Sequence, residues 1–265
     1  IAKDFNLSPS VMGVVLSSFF AGYALMQLPG GWLADKFGSR KVIVISIVLW
    51  SLFTVFTGMA WSLMSMIIIR FMFGLGEGGY PAASSKAIAD VFPKKERTSA
   101  QTIMMSSNSL GGVIAPLIAT PLLVWIGWQN LFFAIGILGL FVAALLWYYL
   151  SPQNMQVELV EEETVQKASF KDVLKIPTSW QLAIMWFGVS TVIWGLISWM
   201  PPYLVDVRGL DLMSMGMLTS IPALAGAIGV IVGGQLIKSL LMGKEKYLAI
   251  ISFIIMIGSL YLLFN

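Results

Sequence analysis

The sequence contains no cysteine and no histidine. Disulfides, thiol nucleophiles, imidazole general bases and conventional zinc sites are therefore excluded, and much of enzymology goes with them. Charge is scarce too. Asp, Glu, Lys and Arg supply 11% of 265 residues against 58% apolar ones, too few to cover an ordinary soluble surface. The net charge of +3 is small, and neither nucleic acid nor a metal or cofactor is expected. Long continuous apolar stretches take the place of charge. They show no period of two, which excludes a membrane β-barrel and predicts an all-α, polytopic membrane bundle. The chain opens on Ile1 rather than Met and is read as a fragment.

Hydropathy and charge punctuation predict eight helices, over residues 11–34, 42–60, 63–91, 98–125, 129–150, 181–204, 212–237 and 246–264. The basic residues set their orientation. Lys36, Arg40 and Lys41 form one cluster, Lys94, Lys95 and Arg97 a second, Lys167, Lys171 and Lys175 a third, and Lys238, Lys244 and Lys246 a fourth. Two spans separate each cluster from the next, so all four share a face, and the turns opposite carry only Lys3 and Arg208. The positive-inside rule makes the clustered face cytoplasmic. A multi-pass protein of the cytoplasmic membrane is expected, with loops 35–41, 92–97, 151–179 and 238–245 in the cytoplasm.

A shift of 203 residues superimposes Met12 on Met215, Gly13 on Gly216, Ser17 on Ser220, Ala24 on Ala227, and Gly30 and Gly31 on Gly233 and Gly234. The first helix thus repeats as the seventh, a period of six. The expected organisation is helices 2 to 9 of a twelve-helix protein: residues 1–150 a six-helix repeat without its first helix, 151–179 a cytoplasmic linker, and 180–265 three helices of a second repeat. Glu161, Glu162 and Glu163 in the linker read as a solvated tether. Gly229 and Gly233 have the spacing of small-residue helix packing and imply nothing more specific.

Behind the first helix lies GGWLADKFGSRKV, Gly30 to Val42, with paired glycines suited to close helix approach and charges in a tight turn. It resembles the loop signature of the major facilitator superfamily. In that family the residues matching Gly31, Asp35, Gly38 and Arg40 belong to the conformational gate, Asp35 bracing a helix of the other half and Arg40 pairing with acids at helix ends. Asp90 and Glu96 are the candidate partners. The second repeat has Lys238 in place of the aspartate, which puts bracing by that half in doubt. The stretches RFMFGLGEGGYPAASSKAIADVFPKKERTSA and WMPPYLVDVRGLDLMSMG are similar to the anion:cation symporters of the superfamily. That resemblance implies a monomeric carrier whose partners are a small organic anion, such as a sugar acid, and protons.

Of the charged residues, only Arg70 and Glu77 fall in the middle of a predicted span. An ionisable group there is costly and marks function by default. Seven residues are two turns, so both project from one face, about 10.5 Å apart along the axis. Arg70 keeps its charge and presents a planar fork to a carboxylate, and Glu77 in a low-dielectric setting can take up and release a proton. The matching residues of the family are essential site residues. A purely structural ion pair is the competing reading. Tyr23, Ser107, Asn108, Trp194 and Ser198 are further candidate substrate contacts, against interhelical hydrogen bonding or interfacial anchoring. The glycines around Glu77 sit inside a span and follow no strand, so they are not a phosphate loop. A phosphate-linked antiporter of the same fold and a non-transporting sensor or scaffold are the alternatives.

Overall fold

The computed structural model describes residues 4–150, 174–239 and 245–264. Most of the expected linker, 151–179, and of the loop 238–245 lies outside them.

Each helix begins and ends where the local chemistry requires. Helix α1 (Pro9–Phe37) starts with Ser8 accepting from the Val11 N–H at 3.4 Å and with Pro9 in its first turn. It stops at Gly38, whose φ of 89° is open to glycine at little cost. Helix α2 (Ser39–Gly58) follows at once. A reciprocal capping box between Ser62 and Ser65 opens α3 (Leu63–Gly78). The expected span 63–91 is divided: Pro81 brings no N–H to the carbonyl of Glu77, and α4 (Tyr80–Val91) begins beyond Gly79. The two spans expected over 98–125 and 129–150 follow one another without a loop as α5 (Lys94–Tyr149), broken at Gly127 with φ 76° and ψ 167°.

The C-terminal part comprises α6 (Pro177–Pro202), a π turn (Tyr203–Val207), α7 (Leu212–Ser239) and α8 (Glu245–Phe264). Five helices among the described residues, α1, α2, α5, α6 with its π turn, and α7, are individually long and apolar enough to cross a membrane. The 56 residues of α5, two helices joined at Gly127, sum to about 84 Å of helical rise, enough for two crossings.

Packing fixes the bundle. Helices α1 and α3 run side by side and parallel, Gly22 of α1 facing Phe71 and Gly74 of α3 facing Phe19 and Tyr23. The second half of α5 runs back along α2: Gly58 faces Gln129, Gly136 faces Val55, and Arg40 reaches Trp147. The first half packs on α7, Gly112 against Ala223 and Thr120 against Gly216. The buried core of Ala34, Val42, Ile43, Val44, Ile47, Ala83 and Ala143 sits at the end carrying Asp35 and Arg40. By contrast α6 has no buried residue, as suits a helix whose apolar surface meets lipid or further helices. The small-residue packing expected at Gly229 is not found among the described residues, since a Cβ placed there would meet nothing within 4 Å.

Candidate functional site

Arg70 and Glu77 share one face of α3, flanked by glycines that face other helices. Gly74 and Gly78 point at α1, and Gly76 at Leu49 and Trp50 of α2. These side-chain-free positions let α1 and α2 close in on both flanks of the face that carries Arg70 and Glu77. Both are partly buried, neither sealed nor freely exposed.

Among the described residues neither forms an ion pair; the carboxylate pairs of the bundle are made by Lys86 at its far end. Direct fastening of Arg70 to Glu77 is thus not what the structure has. The Arg70 guanidinium carbon lies 5.5 Å from the centre of the Phe132 ring on α5. Its buried Nε has no hydrogen-bond partner among the described residues, whereas the terminal nitrogens are not shut off in this way. Arg70 as a whole is partly buried, and its planar fork is the group that matches a carboxylate.

Tyr23 on α1 lies within electrostatic reach of Glu77, with Gln27 one turn along the same helix. Its ring continues an aromatic wall. Tyr23 lies 5.7 Å from Phe19, Phe19 lies 5.5 Å from Phe73 and 5.1 Å from Phe20, and Phe20 meets Trp194 of α6 edge-on at 5.3 Å. Rings thus connect Tyr23 with Trp194. Ser198, one turn beyond, is partly buried. Ser107 and Asn108 are exposed on α5, with the Ser107 hydroxyl donating to the Met104 carbonyl at 2.7 Å. No described contact joins Ser107, Asn108 or Ser198 to Arg70 or Glu77.

The loop-signature residues form a second cluster at the far end of the bundle. Lys86 Nζ lies 3.5 Å from Asp35 and 3.5 Å from Asp90, and the Ser39 hydroxyl donates to Asp90 at 3.0 Å. Asp35 and Asp90 are therefore held by one lysine. Arg40 departs from expectation, because it meets neither Asp90 nor Glu96. It donates to the Trp147 carbonyl and sits 4.1 Å above the Trp147 ring, at the last turn of α5 where carbonyls lack helical donors. Gly31 approaches Ala82 on α4, and Gly38 supplies the turn between α1 and α2. A cavity of about 500 Å³ lies at this end, lined by Ile43, Ser84, Phe92 and Glu96, away from Arg70.

Sequence reasoning missed Gln27, Phe132 and Trp147 and left Lys86 as a bystander. A polar Gln27 one turn from Tyr23 was a usable signal, as was the four-residue spacing of Lys86 and Asp90. Phe132 and Trp147 gave none, since only the fold brings them to their arginines.

The entire chain, residues 1–265, matches the Major Facilitator Superfamily. The chain belongs to that family. It is 34% identical over 242 residues to the hexuronate transporter of Bacillus subtilis, covering 88% of this chain and 57% of that protein. It is 32% identical over 249 residues to a probable sulfoacetate transporter of Cupriavidus necator, covering 89% and 58%. A probable galactarate/D-glucarate transporter of Escherichia coli K12 is 32% identical over 266 residues, covering 88% and 60%. The chain thus spans somewhat over half the length of these relatives. Among solved structures, a bacterial homologue of the human lysosomal transporter Spinster, inward-facing and occupied, superposes with a TM-score of 0.73 at 26% identity, covering 92% of this chain and 56% of that one.

Proposed function

We propose that the complete protein is a secondary transporter of the cytoplasmic membrane that carries a small organic anion, a sugar acid by preference, together with protons. One observation carries the reading: a permanent cation and an ionisable acid share a face of α3, both partly buried and without a counter-ion among the described residues. Arg70 anchors the anion's carboxylate. Glu77 binds the coupling proton, and Tyr23 and Gln27 hold the polar remainder of the substrate beside it. Protonation of Glu77 and neutralisation of Arg70 leave the loaded site without net charge, the condition under which it crosses between the two faces at least electrostatic cost. Three relatives with carboxylate or sulfonate substrates in their names support the anion. The likeness to a bacterial Spinster homologue in its inward-facing conformation supports an inward-facing arrangement here, and the clustered basic residues support a cytoplasmic charged end. Residues 1–150 and 180–265 serve as parts of the two repeats. Trp194 and Ser198, with Ser107 and Asn108, are contributions from the second half and from α5. Asp35, Lys86 and Asp90 form the gate together with Gly31, Gly38 and Arg40.

Uptake into proteoliposomes, with and without an inward proton gradient, tests the assignment. Glu77→Gln is expected to lose gradient-driven accumulation and keep counterflow exchange. Arg70→Lys is expected to weaken anion affinity about tenfold, the loss of one charge-assisted hydrogen bond. Concentrative uptake by Glu77→Gln sinks the proton role, and unchanged affinity in Arg70→Lys removes that residue from the site.

A further inference from the structure

A row of aromatic side chains runs from the end of the bundle opposite Asp35 down to Arg70. Trp128, just past the break at Gly127, donates its indole N–H to Asp4, and its ring centre lies 6.2 Å from that of Phe5. Phe132, one helical turn on, meets Trp128 edge-on with centres 6.3 Å apart. The guanidinium of Arg70 lies over Phe132 at 5.5 Å. Behind Phe132 there is no slack: a Cβ on Gly58 of α2 would meet the Gln129 carbonyl at 2.7 Å and the Phe132 Cβ at 3.4 Å.

We infer that Phe132, braced by Trp128, is the positioning residue for Arg70. A guanidinium that is partly buried, pairs with no carboxylate among the described residues and has an unbonded Nε is short of compensation. The negative face of an aromatic ring supplies it within about 6 Å of the ring centre, without neutralising the charge needed for the anion. A carboxylate in the same place would compete with the substrate. A ring also differs from an aliphatic side chain in directing the guanidinium. With Nε buried and the guanidinium held against the ring, less side-chain freedom is lost when a ligand binds. The row from Phe5 through Trp128 fixes the ring in turn, so the fork's aim is set from outside the site.

The inference rests on Arg70 as the anion anchor, and two separate readouts keep the two apart. The first is anion affinity in the complete transporter, with hexuronate as probe. Phe132→Leu is expected to weaken binding about tenfold, the equivalent of a desolvated cation–π contact, while Phe132→Tyr stays within about twofold of wild type. In an Arg70→Lys background the effect of Phe132→Leu should shrink to less than about threefold, because the partner plane is gone. The second readout does not depend on transport: the rate at which phenylglyoxal modifies Arg70 in the ligand-free protein, followed by peptide mass spectrometry. It should rise in Phe132→Leu and remain at the wild-type rate in Phe132→Tyr. Phe132→Met, closer in volume, repeats both measurements if the leucine variant unfolds in detergent. An equal loss of affinity in the wild-type and Arg70→Lys backgrounds, or an unchanged modification rate in both the leucine and methionine variants, overturns the inference. If the modification rate rises while Arg70→Lys leaves affinity untouched, the positioning stands and the anchor reading falls.

Discussion

At the residue scale, Arg70 lies against the Phe132 ring, 5.5 Å from its guanidinium carbon, and against no carboxylate among the described residues. Arg70 and Glu77 stood out because a charge in mid-span needs a reason, and their common face followed from seven-residue spacing. That neither has an ion-pair partner among the described residues, and that a ring lies over Arg70, are tertiary facts. Arg40 shows the same division: its charge marked the loop, but its partner proved to be Trp147 rather than an acid. Asp211 gives a titratable contrast outside the spans. The Ser214 hydroxyl donates to its carboxylate at 2.6 Å, and the backbone N–H groups of Ser214 and Met213 donate at 3.0 and 2.9 Å. These bonds, the Ser214 hydroxyl foremost, hold the carboxyl below its ordinary value of 3.8. A depressed value in the folded state means that the cap is at full strength above the unfolded value and is lost as pH falls through the folded one. Amide exchange at Met213 and Ser214, corrected for intrinsic rate, should therefore quicken on acidification below about pH 4, the usual carboxylate range. In Asp211→Asn that extra acceleration should vanish. Persistence of the same pH dependence in the variant would show that another group titrates there.

At the element scale, hydropathy located the helices to within a few residues, because apolar length is a property of the chain. It read less well where backbone chemistry interrupts a span. Pro81 divides the third span beside Glu77. At the end of α6, Pro201 and Pro202 withhold two N–H groups, and the chain widens into a π turn closed by Arg208 N–H to the Tyr203 carbonyl at 3.1 Å. Glycine spacing suggested close helix approach at Gly30 and Gly31, and Gly30 indeed crosses at Gly79. The tightest consequence concerns Gly74. A methyl group there would stand 2.7 Å from the Tyr23 amide nitrogen and closer still to the Phe19 carbonyl, both backbone atoms of α1. Neither can turn aside, so α1 and α3 must separate. Gly74→Ala should destabilise the protein by about 1–3 kcal/mol in spite of alanine's better helix propensity. Gly188→Ala on α6, with nothing within 4 Å, should be neutral or slightly stabilising. Thermal unfolding in one detergent compares them, and equal midpoints for the two variants would contradict the packing argument.

For the whole molecule, the proposed two-repeat organisation gives a meaning to the contacts between residues 1–150 and 180–265. Gly13 and Gly216, equivalent under the 203-residue shift, both lie near helix starts where one half meets the other. Gly13 faces Trp199 at 3.6 Å, and Gly216 faces Thr120. With Phe20 against Trp194, these contacts join the proposed halves at the end of the bundle opposite Lys86. A carrier that exposes its site alternately to two sides must break one such seam in each cycle. These 265 residues hold no cysteine, so an introduced pair is unique once any cysteine elsewhere in the complete protein is replaced by serine. A Cβ on Gly216 would stand 2.8 Å from the Thr120 Cβ, so a cysteine pair at these positions needs only a small outward shift to reach the roughly 3.5–4.5 Å of a relaxed disulfide. In the complete transporter, Thr120→Cys with Gly216→Cys should lose both free thiols on mild oxidation, seen as loss of maleimide labelling. Uptake should stop in the oxidised protein and return on reduction, while each single variant keeps transporting under the same oxidant. Wild-type uptake with the disulfide fully formed would mean that the halves never part along α5 and α7.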